Sequence, residues 1–305
     1  MSMVVIGAVF VDVKGFPSHK YIPAGRNEGR VETVHGGVGR NVAEDLGNIG
    51  LTPCFLTIVD ESAQGQEVLD RLEKQGVDTR YILHRNDGMG MWLAVFDHTG
   101  DIVASISKRP DMSPLARLLQ EKGDEIFAHA ESVSLEIDIE EEVVEQVLRL
   151  ARKYHTKVYA VVSNISIAME RRHYFRYVDC FVCNRQEAEM FFGEAMEELT
   201  MAELRDSAER LRVRDGLRSL VVTSGGQGSV YCAADGEKGV HPAEPVMVKD
   251  TTGAGDAFFA GVVAGLSCGR TLSEAVDVGT RLASMVIARM ENVCPHMESK
   301  ADLLK

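Results

Sequence analysis

The residues best suited to chemistry in this 305-residue chain lie in Asp250-Thr251-Thr252-Gly253-Ala254-Gly255-Asp256, just ahead of the apolar run AFFAGVVAGL. Gly253 and Gly255 allow a tight turn and leave an approaching ligand clear of Cβ atoms. The apolar run reads as a buried helix. The loop N–H groups then stand at its N-terminus, where unsatisfied donors and the helix dipole favour an anion. An acid in that place works against simple anion binding. It makes sense if Asp256 takes a proton from a hydroxyl while the N–H groups hold the phosphoryl group that the hydroxyl attacks. The alternative is a glycine-rich turn with Asp256 as a cap or first-turn acid, and the local sequence leaves both open.

Three further segments place small or polar residues at the ends of elements. Gly36-Gly37-Val38-Gly39-Arg40-Asn41 precedes a helix and sets Asn41 in its first turns, able to bond a polyol. Val42 stands where GxGxxG needs its last glycine, and GxxxxGK[ST] is absent. A dinucleotide fingerprint and an ordinary P-loop are therefore both excluded. Thr223-Ser224-Gly225-Gly226-Gln227-Gly228 closes the strand-like LVVT. Small residues at a strand end leave room for a flat base or phosphates, though a plain turn between two strands reads the same way. Asn184-Arg185-Gln186-Glu187 leaves the strand-like FVC. Asn184 can cap the following helix, and Glu187 can organise a hydrated Mg²⁺, which uses few carboxylates.

The elements that must position these residues alternate. Residues 3–9 are a short apolar strand, 38–49 carry apolar residues at helical spacing, 54–59 are a strand and 66–75 an amphipathic helix. Short connections between them predict a parallel sheet covered by helices. Residues 91–97 and 102–106 flank His98-Thr99-Gly100 and read as a hairpin. Together with β-like pieces in 10–34 they predict a small sheet outside the main one, suited to a lid over a site. The alternation resumes with strands at 132–135, 157–162, 180–183, 220–223 and 228–232. Helices are predicted at 141–154, 167–176, 187–192, 201–214, 254–266 and 273–290. The expected organisation is one α/β domain over 1–305, with lid segments at about 10–34 and 88–108.

Composition narrows the partners. Lys and Arg number 33 against 46 Asp and Glu, for a formal net charge of −13. Such a surface repels nucleic-acid phosphates and anionic lipid, so neither nucleic acid nor membrane is an expected partner. With 45% hydrophobic and 26% charged residues the chain is expected to be globular. No basic n-region precedes the first apolar stretch, and no apolar run approaches the ~20 residues of a membrane span. The six cysteines sit in apolar segments, as reduced core thiols do. A cytoplasmic location follows as the expectation. Cys180 and Cys183 form a CxxC without a second pair or a His cluster, which favours packing over zinc.

In order along the chain, these segments resemble the ribokinase-like (PfkB) carbohydrate kinase family, and the DTTGAGDAF form is the most specific of them. The resemblance implies a three-layer α/β/α domain with a mostly parallel sheet, a small β-sheet lid, and ATP-dependent phosphorylation of a hydroxymethyl group. It implies Asp256 as catalytic base, with Gly253, Ala254 and Gly255 as the anion hole. It implies Asn184, Thr223, Gly225 and Gly228 at ATP, Glu187 at Mg²⁺ through water, and the carbonyls of Asp250 and Thr252 at K⁺. Asp12, Gly36, Gly37, Asn41 and Glu136 are the implied acceptor-binding set. Dimers through the lid are common in the family, and exposed strand edges supply a reason.

The Gly-Gly-Val-Gly-Arg-Asn-Val-Ala segment most resembles pseudouridine kinases. Two departures bear on the acceptor. Phe10 stands where many relatives carry Asn, and Ser163-Asn164 replaces a frequent Asp-Pro. Three readings follow: a kinase for a nucleoside, pseudouridine first, or for a pentose; a sugar-phosphate kinase using Arg40, Lys108 or Arg109 for a second phosphate; and a ligand-binding regulatory protein on a kinase fold.

Overall fold

The computed structural model describes residues 2–99 and 101–297. In chain order the elements begin with β1 (Ser2–Ile6), β2 (Phe10–Pro17), β3 (Gly29–Gly36), α1 (Val38–Asn48), β4 (Cys54–Leu56), β5 (Ile58–Val59), α2 (Ala63–Lys74) and β6 (Leu83–His84). β7 (Gly90–Phe96), β8 (Ile102–Lys108), α3 (Pro114–Phe127), β9 (Ala130–Glu136), α4 (Glu141–Tyr154), β10 (Lys157–Val161) and α5 (Ile165–Glu170) follow. The chain continues through β11 (Cys180–Asn184), α6 (Arg185–Phe192), α7 (Met201–Asp215), β12 (Ser219–Thr223), β13 (Ser229–Ala233), β14 (Lys238–His241), α8 (Ala254–Ser267) and α9 (Leu272–Ile287).

The main sheet is eight-stranded, in the order β14-β13-β12-β11-β10-β9-β1-β4. Strands β4, β1, β9, β10, β11 and β12 run parallel, and β13 and β14 close one edge antiparallel. Both faces are buried, because apolar side chains alternate along each strand. Val4 and Ile6 of β1 face one core with α3 to α7, while Met3 and Val5 face the other with α1, α2, α8 and α9. Phe181 and Val182 divide β11 in the same way. This two-sided burial makes the fold a three-layer α/β/α structure. It also separates Cys180 from Cys183, which are buried on opposite faces of β11.

A second sheet has the order β3-β2-β7-β8 and stands apart from the first. It contains the segments predicted to pair outside the core, including the hairpin of β7 and β8. Gly100, part of the predicted hairpin turn, lies outside the described residues.

Several expectations differ in detail. The single strand predicted at 54–59 breaks at Thr57: β4 joins the main sheet, and β5 pairs with β6. The helix predicted at 167–176 is α5 followed by a tighter turn over Arg172–Tyr177. The helix predicted at 66–75 starts earlier, because Ser62 caps it by accepting from Gly65 N–H. Helix α3 has no counterpart among the predicted elements, although Pro114 at its start and Leu115, Leu119 and Ile126 on one face carry a helical signal.

Helices α8 and α9 meet through glycines. A Cβ on Gly261 would lie 2.6 Å from the Gly279 Cα, so the backbones touch where side chains would normally intervene. Gly261→Ala gains up to ~1 kcal/mol of helix propensity but forces the helices apart, at a cost of ~1–3 kcal/mol. We expect a net loss of stability, read as a lower denaturation midpoint in urea. A midpoint at or above that of the wild type would contradict this packing.

Candidate active site

The polar residues converge where the C-terminal ends of β1, β9, β11 and β12 meet the N-termini of α1 and α8. Strand ends of this kind form the ligand crevice of open α/β sheets. Gly253 is the N-cap of α8 with φ 80°, a left-handed conformation that suits glycine. A side chain there would also overlap the Asn292 carbonyl oxygen. Asp256 lies in the first turn, partly accessible. Its Oδ2 accepts a 2.6 Å hydrogen bond from Asn41 Nδ2.

Desolvation raises the Asp256 carboxyl to about 6, with Glu187 and Asp12 adding repulsion and Asn41 and Arg40 opposing it. A carboxyl so placed is ionised at neutral pH yet basic enough to take a proton. The Ala254 N–H is used within the loop, donating to Thr251 O at 3.2 Å. Among the described residues the Gly255 and Asp256 N–H groups have no protein acceptor. A Cβ on Gly255 meets nothing within 4 Å. Of the predicted anion hole, Gly255 therefore opens onto free space, Gly253 shapes the turn, and Ala254 is spent internally.

Asp12 on β2 lies beside Gly36, where a Cβ would crowd its carboxylate. Burial raises its pKa, and the charges of Lys14 and Arg40 work against that. Gly37 is the N-cap of α1, packed against the Ala8 carbonyl. Glu136 closes β9, 1% exposed, and its Oε2 accepts from Ala8 N–H at 2.9 Å. Among the described residues its Oε1 lies within hydrogen-bond distance of no group that would satisfy it, although Ser163 is near enough to lower its pKa. Burial first, then Asp138, raises Glu136 to about 7. Asp138 is saturated instead: it accepts from Ser163 N–H, Ser163 Oγ, Asn164 N–H and Arg109. The Asn164 N–H in that set is one a proline could not supply.

Thr223, Gly225 and Gly228 line a cavity of about 590 Å³ together with Ala254 and Gly255. Its far wall comes from Ala243–Val246 and from Thr280, Ala283 and Ile287 of α9. Sequence reading missed that wall; the small residues at helical spacing in α9 were its only signal. Asn184 pairs in register with Thr223 but caps α6, forming a reciprocal box with Glu187. The capping role read from the sequence is therefore realised, beside the cavity wall.

Glu187 uses one oxygen in that box, and its pKa is raised by burial and by Asp138. Carboxylates that repel one another around an open crevice suit a cation. Among the described residues no cluster of three or more His, Cys, Asp or Glu could hold a metal. A Mg²⁺ that keeps most of its waters fits such a sparse set. The Asp250 carboxylate accepts from Thr252 N–H at 2.9 Å, and Lys14 Nζ approaches Thr252 Oγ1 at 3.4 Å.

The three cations considered for a second phosphate are all paired. Arg40, 1% exposed, binds Glu44 at 2.6 Å. Lys108 pairs with Asp87, and Arg109 with Asp138 at 3.1 Å. Asn292, near the end of the described chain, bonds His35 O, Asn41 and Arg40, and no sequence motif marked it.

A carboxylate at a helix N-terminus beside a cavity, on a three-layer α/β/α fold, is an arrangement that suits a phosphoryl-transfer enzyme. Residues 1–295 match the pfkB family carbohydrate kinases, and the chain belongs to that family. It is 34% identical to the guanosine-inosine kinase of Exiguobacterium acetylicum, over 94% of this chain and 95% of that one. It is 25% identical to the pseudouridine kinase of Escherichia coli, over 94% of this chain and 90% of that one. Its fold matches the ribokinase of Arabidopsis thaliana complexed with ribose and ATP, with a TM-score of 0.83 and 21% identity, over 99% and 98% of the two chains. It is thus an ATP-dependent sugar or nucleoside kinase.

Two glycine substitutions separate chemistry from folding. Gly255→Ala meets no neighbour and improves helix propensity, so stability should hold to within about 1 kcal/mol. Its methyl should nevertheless intrude on the anion site and lower kcat/KM at least tenfold. Gly253→Ala should cost about 2 kcal/mol or more in stability, through strain and overlap. Thermal melts with steady-state kinetics check both, and equal stability losses in the two variants would refute the distinction.

Proposed function

We propose that the protein transfers the γ-phosphoryl group of ATP to the hydroxymethyl group of a nucleoside. The observation that carries this reading is the Asn41–Asp256 hydrogen bond at the N-terminus of α8, beside the nucleotide-sized cavity. ATP would lie along Thr223, Gly225 and Gly228, next to Asn184, with its γ-phosphate toward the Gly255 and Asp256 N–H groups. The acceptor hydroxyl would sit against Asp256, which takes its proton as attack proceeds. Asp12, Asn41 and Glu136 would bond the sugar hydroxyls beside Gly36 and Gly37. Mg²⁺, held near Glu187 through water, would offset charge on the transferring phosphate. K⁺ on the carbonyls of Asp250 and Thr252 would steady the loop, since the Asp250 carboxylate is already engaged.

A nucleoside is favoured over a free pentose by the aromatic side of the second sheet, read here as a lid. Trp92 pairs directly with Asp12 and so shares its face, with Phe96 edge-on at 6.4 Å. An indole there offers a platform for a base. Phe10 contributes less, because its ring packs against Gly90 and the core. The pairing of Arg40, Lys108 and Arg109 weighs against a phosphorylated acceptor. Between bases, the 34% likeness to a guanosine-inosine kinase supports a 6-oxopurine nucleoside, and pseudouridine is the second reading.

ADP release with guanosine, inosine, pseudouridine, ribose and ribose 5-phosphate tests the acceptor. We expect guanosine or inosine to give the highest kcat/KM; preference for ribose 5-phosphate would overturn the reading. Asp256→Asn should lower turnover at least ~10²-fold, the scale of a lost general base. The wild-type kcat/KM should fall as pH drops through about 6, because protonated Asp256 cannot accept a proton. A flat profile between pH 5 and 8 would contradict that role.

The other face of the lid supports a homodimer. Val31, Met91, Leu93 and Ile106 share that face and are 71%, 46%, 41% and 69% exposed. A second copy of this face would cover them. Sedimentation should give a dimer for the wild type and a monomer for Leu93→Lys with Ile106→Glu.

A further inference from the structure

Among the described residues after α9, Asn292 is the one whose side chain bonds Asn41. Its Nδ2 donates to His35 O at 2.8 Å and to Asn41 Oδ1 at 3.4 Å. Its Oδ1 accepts from Arg40 Nη2 at 3.4 Å. The partners fix which end of this amide is which, because a carbonyl only accepts and a guanidinium only donates. Asn41 is fixed in turn. With its oxygen turned to Asn292, its NH₂ group faces Asp256.

We propose that Asn292 is a positioning residue, which holds the Asn41 amide in the one orientation that donates to Asp256. Without that hold the Asn41 amide could rotate by half a turn and present its oxygen to the carboxylate. Two oxygens would then face each other, unless Asp256 kept a proton. Asn292 also steadies the loop from the other side, since its backbone carbonyl fills the space left by the missing side chain of Gly253.

The groups around Asp256 are Arg40, Asn41 and Asp45 on α1, Glu187 on α6 and Asp12 on β2. Asn292 contacts two of them, Arg40 and Asn41. Arg40 keeps its ion pair with Glu44 when Asn292 is changed, so the effect should run through Asn41. A hydrogen bond to the ionised form lowers a carboxyl pKa, and its loss raises it. The inference rests on Asp256 acting as the base only for its catalytic consequence, not for the titration itself.

The test is a titration of selectively ¹³C-labelled aspartate in the free protein, with Asp256 assigned from the spectrum of Asp256→Asn. Asn292→Ala and the similarly sized Asn292→Leu should each raise the Asp256 midpoint by about half to one unit, the scale of one ordinary net hydrogen bond. Asn41→Ala should do the same, and adding Asn292→Ala to it should change nothing further. In the two Asn292 variants the acid limb of ADP release with inosine or pseudouridine should move up alike, lowering activity about one-and-a-half- to threefold at pH 6.5 and leaving it within about twofold at pH 9. An unmoved midpoint in both Asn292 variants, or an undiminished shift when Asn41 is already Ala, would overturn the proposal. A midpoint that moves while the acid limb stays would uphold the positioning role and remove Asp256 as the base.

Discussion

A hydroxyl that attacks phosphorus must lose its proton, and Asp256, which we propose takes it, is itself an anion at a helix N-terminus, where anions are favoured. That conflict governs how the site is built. The Gly255 and Asp256 N–H groups and the helix end attract negative charge, while Asp12 and Glu187 repel it. Asn41 shifts the balance back by a single neutral hydrogen bond. The outcome is a carboxyl near 6, ionised but not inert. A nearby unpaired arginine would have driven it lower and made it a poor base. Arg40 does lower it, but Arg40 is itself paired with Glu44, whose carboxylate Arg71 shares at 2.5 Å.

The rest of the architecture serves that balance. Helices α1 and α8 start from glycine-rich turns, so both N-termini can approach the strand ends closely. The second sheet carries Asp12 and Trp92 on one face and presents an apolar surface on the other. In the proposed site phosphate would be met by oriented N–H groups, which would let a chain of net charge −13 handle a polyphosphate. Few free cations are needed when a helix end faces the anion.

Much of this was legible in the sequence because glycine and aspartate leave local signatures. The DTTGAGD loop, the Gly-Gly motif and the strand alternation located Asp256, Asn41 and both sheets. The rest failed for physical reasons. Helix α3 carries no chemical motif to draw attention to its periodicity. The strand at 54–59 divides because β5 leaves the main sheet for β6, a long-range choice that no local pattern encodes. Apart from Ile287, the α9 wall of the cavity is made of Ala, Ser and Thr, whose meaning is only the space they leave. Asn292 acts through residues more than 250 positions away, and a lone asparagine near the end of a chain has no sequence signal. Arg40 read as a phosphate ligand because charge is visible in a sequence and an ion-pair partner is not.

The distance between Asn292 and its partners has a bearing on biogenesis. His35 and Asn41 leave the ribosome early, whereas Asn292 follows more than 250 residues later. At ~5–20 residues per second, the interval between them is on the order of ten to fifty seconds. Throughout it the nascent chain can build most of the parallel sheet but not the contact that orders Asn41. Until Asn292 emerges, the Asn41 amide lacks the partner that we propose turns its NH₂ group toward Asp256.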